Sequence, residues 1–329
     1  MEFAQFMAMR AQILAQPDAP LDAAETRVTQ ALRELIPPAG QLNLPPKAHR
    51  CHLAEFWLAH YQLPAGYKTR ALICKGVRHS LSLLFKAWAL EDKTVLLPGD
   101  VYPVYGQLAQ AAGLRHHHYP LFPQAGWQSA SHAEADVILI TNPAKPRASA
   151  LSSNEVSALA SWLAQNPQRR VVIDAVYNFQ APLDAATLAL LAGGQTMVLH
   201  SLSKSWLHPL VMGVALIPRQ DIERYTALFR AESPGQAQLQ LAHALLNDAA
   251  QFPATLVQEL AQRRHNLQAA LLARGCSLNL PASVPAYLFA AETGFEEMLN
   301  QHRILALPLS VFGSRLQNHC VLSSLAMRG

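Results

Sequence analysis

The stretch that decides the fold is DVILITNPAKPRASALSSNEVSALASWLAQNPQRRVVIDA, residues 136–175. It begins and ends with short apolar runs, DVILIT and RVVIDA, and the segment between them has apolar residues at helical spacing. The two runs have the length and the valine, isoleucine and leucine content of strands buried on both faces, as parallel strands are. A strand, a helix and a second strand in this order predict one unit of a parallel sheet.

The same alternation extends over the first two thirds of the chain. Helices are predicted at 79–90, 104–113 and 152–166, and in the last of these Ser152 or Ser153 can cap the first turn. The pattern predicts an α/β fold with a mainly parallel, doubly wound sheet. The further predicted strands are ALIC (71–74), TVLLP (94–98), TMVLHS (196–201) and GVALIP (213–218).

Beyond the last of these strands the pattern changes. Residues 221–273 have an almost wholly helical pattern, and the chain after them mixes short strands with one more helix. Proline-rich breaks in IPPAG and LPP mark a second junction near the N-terminus. We therefore expect a large domain at residues 46–220 and a smaller α+β domain formed by residues 1–45 and 221–329.

Composition and charge exclude several classes of protein. The apolar fraction is 51% and the charged fraction 15%, which excludes a disordered chain. The net charge of +4 is too small to indicate nucleic-acid binding and suits an anionic small molecule. The four cysteines are far apart, which favours a reducing cytoplasm over a disulfide framework. No run approaches the roughly 20 apolar residues of a membrane span.

Chemically distinctive side chains follow three of the predicted strands, at the sheet edge where ligands bind. Asp174 ends one strand, and its carboxylate is costly to bury without a partner, although a helix cap or a core ion pair would explain it equally well. Ser201, Ser203 and Lys204 end another, where hydroxyls suit a phosphate and a desolvated lysine becomes a nucleophilic amine. At the third, Gly76 precedes a helix whose free N–H groups suit an anion. Each feature alone is weak, but three such junctions in one sheet favour a ligand site.

Five motifs occur in a characteristic order along the chain: the glycine-to-leucine spacing at 76–81, PGDVYPVY at 98–105, TNPAKP at 141–146, DAVY at 174–177 and SLSK at 201–204. In this order they resemble the motifs of the class I and II aminotransferases, which are fold type I pyridoxal-phosphate enzymes. Within this family, the motifs are most similar to those of histidinol-phosphate aminotransferase-like proteins. The resemblance implies an enzyme that uses pyridoxal 5′-phosphate on the amino group of a small amine or amino acid, and it implies a homodimer.

The resemblance also implies a role for each matching residue. Lys204 carries the cofactor as a Schiff base and moves the proton, Asp174 pairs with the pyridine nitrogen, and Tyr177 donates to the ring hydroxyl. These three are the expected catalytic residues. The other expected cofactor contacts are stacking by Tyr102, a ring-hydroxyl contact at Lys145 where the family has asparagine, and phosphate binding around Arg78, His79, Ser201 and Ser203.

Two arginines of the family pattern are missing. Val211 stands where the family neutralises the cofactor phosphate, so we expect Arg78 to supply that charge. Leu322 stands where the family binds the substrate carboxylate. We therefore expect either a substrate without a free carboxylate or another cation, for which Arg315 and Arg328 are candidates.

Other functions remain open from the sequence. A lyase, decarboxylase or cyclase would use the same cofactor, because the pocket selects the bond that breaks. A degenerate homologue could serve as a binding subunit, although the three retained catalytic residues argue against it. A serine hydrolase built on Ser201 and Lys204 lacks companion motifs such as Lys-Thr-Gly. His116 and His118 can share one face of a strand, but no acidic or cysteine ligand stands near them in sequence, so no metal site is predicted.

Overall fold

The computed structural model describes residues 2–28, 30–35, 41–60, 71–101, 103–122, 126–127, 134–179, 183–207, 212–248 and 250–327. The predictions for Tyr102, Val211 and Arg328 lie outside these ranges. The strands are β1 (Leu21–Asp22), β2 (Ala71–Cys74), β3 (Thr94–Pro98), β4 (Arg115–Tyr119), β5 (Val137–Thr141), β6 (Arg170–Asp174), β7 (Thr196–Ser201), β8 (Gly213–Leu216), β9 (Leu288–Ala291), β10 (Ile304–Leu305), β11 (Leu307–Pro308) and β12 (Cys320–Ser323).

Helices alternate with the strands of the first two thirds and dominate the chain between β8 and β9. They are α1 (Phe3–Leu14), α2 (Gln30–Arg33), α3 (Arg50–His60), α4 (Val77–Leu90), α5 (Val104–Ala111), α6 (Ser153–Ala164), α7 (Ala185–Ala192), α8 (Leu202–Ser205), α9 (Ile222–Ala231), α10 (Gln236–Asp248), α11 (Phe252–Leu272) and α12 (Phe295–His302). Short 3-10 helices lie at Arg219–Asp221 and Leu309–Phe312. In the described residues, no helix is both long and apolar enough to cross a membrane.

Seven strands form the central sheet, in the order β2-β8-β7-β6-β5-β3-β4. The pairs from β4 through β3, β5 and β6 to β7 are all parallel. Every residue of β5, β6 and β7 is buried, as the apolar runs predict for strands covered on both faces. The predicted α/β class with a mainly parallel sheet is confirmed.

Strand β8 departs from the parallel pattern. It is antiparallel to both of its neighbours, β7 and β2. Its sequence is as apolar as that of the parallel strands because an apolar run reports burial and carries no information about direction. Strand β4, RHHHY, was not among the predicted strands. It pairs with β3 and is largely exposed, which explains its polar sequence.

Local sequence signals explain where two helices begin. The Ser152 hydroxyl accepts from the Glu155 backbone N–H at 3.3 Å, and the Glu155 carboxylate accepts from the Ser152 N–H at 2.8 Å. This reciprocal capping box begins α6, so Ser152 is the cap. Pro253 lies in the first turn of α11, where its missing N–H costs no helical hydrogen bond.

The N-terminal and C-terminal segments pack together. Strand β1 pairs in parallel with β10, and β9, β12 and β11 form a second, antiparallel sheet. The Ser323 N–H donates to the Ala23 carbonyl at 2.7 Å, which connects this small sheet to the N-terminal segment. The association of the two ends of the chain agrees with the expected smaller α+β part, while the domain boundaries stay a prediction.

Candidate functional site

A cavity of about 470 Å³ lies at the carboxyl ends of β2, β5, β6 and β7. The sheet supplies its polar wall. The N-terminal and C-terminal segments supply an apolar wall with Phe3, Leu288, Val311 and Phe312. Seven of the residues predicted from the sequence line this cavity: Arg78, Lys145, Asp174, Tyr177, Ser201, Ser203 and Lys204.

Asp174 is a buried carboxylate at the end of β6, with 5% of its surface exposed. It accepts hydrogen bonds from the Tyr105 hydroxyl at 2.7 Å and from the Val176 N–H at 3.0 Å. Burial raises the pKa of Asp174 to about 6, although both hydrogen bonds favour the ionised form. Burial and the Asp174 charge raise the pKa of Tyr105 well above its ordinary value, so this hydroxyl remains a donor. The site therefore offers a desolvated anion to a ligand cation.

Lys204 reaches the same cavity from the turn after β7. Ser201 caps the four-residue helix α8 by accepting from the Ser203 N–H, and this helix positions Lys204 beside the end of β6. The Lys204 Nζ lies 5.9 Å from the centroid of the Tyr177 ring. Burial lowers the pKa of the amine. A larger fraction of the side chain is then unprotonated, which is the nucleophilic form.

Lys145 lies in a cage of two tyrosines, Tyr177 and Tyr287. Its Nζ donates to the hydroxyl of Tyr177, and to that of Tyr287 at 3.2 Å. The same nitrogen lies 3.8 Å from the centroid of the Tyr177 ring and 4.8 Å from that of the Tyr287 ring. Burial, together with the charge of Lys204, holds the pKa of Lys145 well below its ordinary value.

The end of the cavity near α4 is built to approach an anion closely. Gly76 precedes the helix with a φ of 96°, a backbone conformation that favours glycine. A Cβ on Gly213 would lie 2.0 Å from the His200 carbonyl oxygen and 3.0 Å from the Gly76 Cα, so these backbones pack only around a glycine. The residues at the start of α4 line the cavity together with Ser201 and Ser203, and the first N–H groups of a helix have no acceptor within the helix.

Two cations reach this end of the cavity. The Arg78 side chain is exposed and lines the cavity. Lys75, which sequence reasoning missed, also lines it and forms an ion pair with Glu232 at 3.6 Å. The position of Lys75 directly after strand β2 was the signal that could have identified this residue. Both side chains can provide charge for a phosphate.

Three other residues considered from the sequence do not line this cavity: His79, Arg315 and Leu322. The His79 side chain is not part of the cavity lining, and its Nε2 lies 3.4 Å from the Glu232 carboxylate. Its expected contact with the cofactor stays a prediction that rests on its backbone N–H. Arg315 is exposed and lines a neighbouring cavity. Leu322 is fully buried in β12 and is paired with Phe289.

Sequence reasoning missed three more residues around the site. Tyr105 stands in the quoted PGDVYPVY motif, three positions after Tyr102, but no local signal connects it to Asp174. Thr141 ends β5 and lines the cavity, and its buried hydroxyl has no hydrogen-bond partner among the described residues. Tyr287 comes from the C-terminal part of the chain and had no sequence signal. The Thr141 hydroxyl is therefore available to hydrogen-bond with a molecule that occupies the cavity.

Comparison with known proteins identifies relatives over most of the chain. The family model described as "Aminotransferase class I and II" matches residues 18–321. Histidinol-phosphate aminotransferase 1 from Bradyrhizobium diazoefficiens is 28% identical over 178 residues, which are 54% of this chain and 49% of that protein. The aligned segment thus spans about half the length of this curated relative.

Solved structures resemble almost the whole chain. An aminotransferase from Mycobacterium tuberculosis has a TM-score of 0.72 at 18% identity, covering 98% of this chain and 91% of the other. The aminotransferase AspB from Helicobacter pylori has a TM-score of 0.72 at 17% identity, covering 98% and 93%. At such identities the likeness establishes the fold alone, and it confirms the predicted fold type I architecture.

Proposed function

Because the chain belongs to the aminotransferase class I and II family, whose cofactor is pyridoxal 5′-phosphate, we propose that it transfers the amino group of a small amine or amino acid. The observation that carries the proposal is the convergence of Lys204, Asp174 and Tyr177 on one cavity. No packing requirement explains an amine, a carboxylate and a phenol lining the same space. The catalytic assignment of these three residues is part of the proposal.

The residues of the cavity fit this cofactor. Asp174 offers a buried anion to a protonated ring nitrogen, and the Thr141 hydroxyl lacks a partner among the described residues. The close approach of Gly213 to Gly76 fixes the backbone before α4, and Gly76, Val77 and Arg78 at this helix N-terminus form a backbone cradle on the cavity wall. The cradle, the serine hydroxyls and the nearby cations suit a phosphate group. Together these groups match the ring and the phosphate of the cofactor.

When bound, pyridoxal phosphate supplies an electron sink for the bonds around the substrate carbon. In our proposal, Asp174 keeps the ring nitrogen protonated by pairing its carboxylate with that N–H. Tyr177 donates its hydroxyl to the ring oxygen. The Lys204 Nζ would attach the cofactor covalently and, as a basic amine beside the substrate carbon, would be the group that holds or moves the proton there. The apolar wall with Val311 and Phe312 limits access of water to that carbon.

Covalent trapping tests the proposal. The purified chain incubated with pyridoxal phosphate should absorb visible light, and borohydride reduction followed by peptide mapping should leave a pyridoxyl group on Lys204. The Lys204→Ala variant should lose the adduct, while Lys86→Ala should keep it because Lys86 lies exposed on α4. A folded wild-type protein without an adduct, or with its adduct on Lys145, would contradict the proposal.

One observation favours a second reaction on the same cofactor. In the described lining of the cavity, Arg78 is the sole arginine, and it lies at the α4 end. A guanidinium that grips a substrate carboxylate is therefore not part of the described apolar wall. A decarboxylase or lyase would depend less on such a grip. Product analysis with carbon-labelled amino acids separates these reactions, because a decarboxylase releases labelled carbon dioxide.

We further propose that the protein is cytoplasmic, forms a homodimer and does not bind nucleic acid. Within each chain, we propose the domain boundaries predicted from the sequence. Its four cysteines are free thiols, three of them buried, which suits a reducing compartment. The small net charge is the support for the absence of nucleic acid. The dimer rests on the resemblance to the family, and sedimentation equilibrium of the purified chain tests it.

A further inference from the structure

The Lys145 side chain has no ionic partner in the described part of the chain. Its neighbours are the rings and hydroxyls of Tyr177 and Tyr287, which are polar but uncharged. No carboxylate of the described residues lies within 4.0 Å of its Nζ. The side chain is partly buried, and it lines the cavity. An amine held only by neutral groups in such a place favours an anion on its open side, because a nearby negative charge stabilises the protonated form that burial disfavours.

The balance of charge in the cavity strengthens this argument. Among the described lining residues, four carry basic side chains: Lys75, Arg78, Lys145 and Lys204. Asp174 is the acidic residue of the same lining, and its oxygens already accept from Tyr105 and Val176. Lys75 is paired with Glu232 outside. Lys204 is the proposed attachment point of the cofactor, so Arg78 and Lys145 are the lining residues left to pair with anionic groups of the ligands.

The position of Lys145 separates it from the phosphate cradle. The cradle lies at the ends of β2 and β7, whereas Lys145 follows β5 and contacts Tyr287, the residue directly before β9. Leu288, the next residue, lines the cavity beside the apolar wall where a substrate side chain would lie. An anion bound by Lys145 therefore belongs to the substrate side of the cavity.

We propose that Lys145 binds the carboxylate of an amino-acid substrate and thereby determines substrate class. The proposal rests on the proposed function, because it assumes that an amino acid enters this cavity. The tyrosine cage preorganises the ammonium by cation–π contacts and by two hydroxyl acceptors, which leaves its remaining N–H toward the cavity. The alternative is that Lys145 contacts only the ring oxygen of the cofactor and does not bind the substrate.

Calorimetric titration of the cofactor-loaded full chain tests the proposal. The probes are acetate, propionate and 3-phenylpropionate, each compared with its amide, since these acids carry the carboxylate without an amino group. Wild-type protein should prefer the acids. Lys145→Met should bind them about 10- to 100-fold more weakly, with amide binding unchanged. Lys145→Arg should retain the preference, and the surface variant Lys86→Met should behave as wild type.

Several outcomes would overturn the proposal. Loaded wild-type protein that shows no preference for the acids, or a Lys145→Met variant that binds them as tightly as wild type, would leave the ring-oxygen contact as the role of Lys145. If circular dichroism shows that Lys145→Met is unfolded, Lys145→Gln removes the charge and keeps a donor to the tyrosines. Wild-type protein that takes up no cofactor would refute the proposed function and this inference together, which the visible absorbance reveals before any titration.

Discussion

Replacing Asp174 by asparagine should stabilise the cofactor-free protein at neutral pH. Burial raises the pKa of Asp174 in the folded state to about 6, above its ordinary value of 3.8. The folded state therefore binds this proton more tightly than the unfolded chain. The resulting stabilisation is fully present below about pH 4 and is lost as the pH rises through 6.

The size of this loss of stability follows from the difference between the folded and unfolded pKa values of Asp174. At about 1.36 kcal/mol for each pH unit between them, the loss is about 3 kcal/mol. Asparagine does not titrate, and it can still accept from the Val176 N–H while its amide donates to the Tyr105 hydroxyl oxygen. The variant should therefore gain stability over wild type by about 2.5 kcal/mol between pH 4 and pH 8, with roughly half of the gain above pH 5.

Urea denaturation of the cofactor-free proteins at several pH values measures this difference. Asp18→Asn is the control, because Asp18 is exposed and pairs with Arg303 at the surface. Addition of pyridoxal phosphate should reverse the order, since the cofactor stabilises wild type and binds more weakly to Asp174→Asn. A stability difference between Asp174→Asn and wild type that stays constant from pH 4 to pH 8 would refute the reasoning, because the carboxylate would then not be desolvated.

Two further predictions concern the phosphate end of the cavity. Arg78→Ala should weaken cofactor binding by about 10- to 100-fold, measured by fluorescence titration. The control Arg219→Ala, at an exposed residue outside the described cavity lining, should leave it unchanged, and unchanged affinity in Arg78→Ala would assign the charge to Lys75. Gly213→Ala should lower the free energy of unfolding by about 1 to 3 kcal/mol or more, because its Cβ would overlap backbone atoms. Gly235→Ala is the matched control, since a Cβ there meets nothing closer than 3.9 Å, and equal stability of the two variants would contradict the close packing.

The strands and the residues at their ends could be predicted from the sequence because both are local properties. An apolar run of five or six residues between helical patterns indicates a buried strand wherever the chain later places it. Parallel strands end at one edge of their sheet, so the ends of β6 and β7 had to bring Asp174 and Lys204 to the same side. The capping box of α6 was likewise readable, since its partners are three residues apart.

The direction of β8 and the partners of the site residues were decided only by the tertiary structure. Tyr105 reaches Asp174 across 69 positions of sequence, and Tyr287 reaches Lys145 across 142. No local pattern carries such a contact, because it depends on how the strand ends and the C-terminal segment pack around one cavity. The same packing buries Leu322 and places Lys145 between two tyrosines. A lysine that the sequence showed as a departure from the family pattern thus acquires its electrostatic setting from residues distant in the chain.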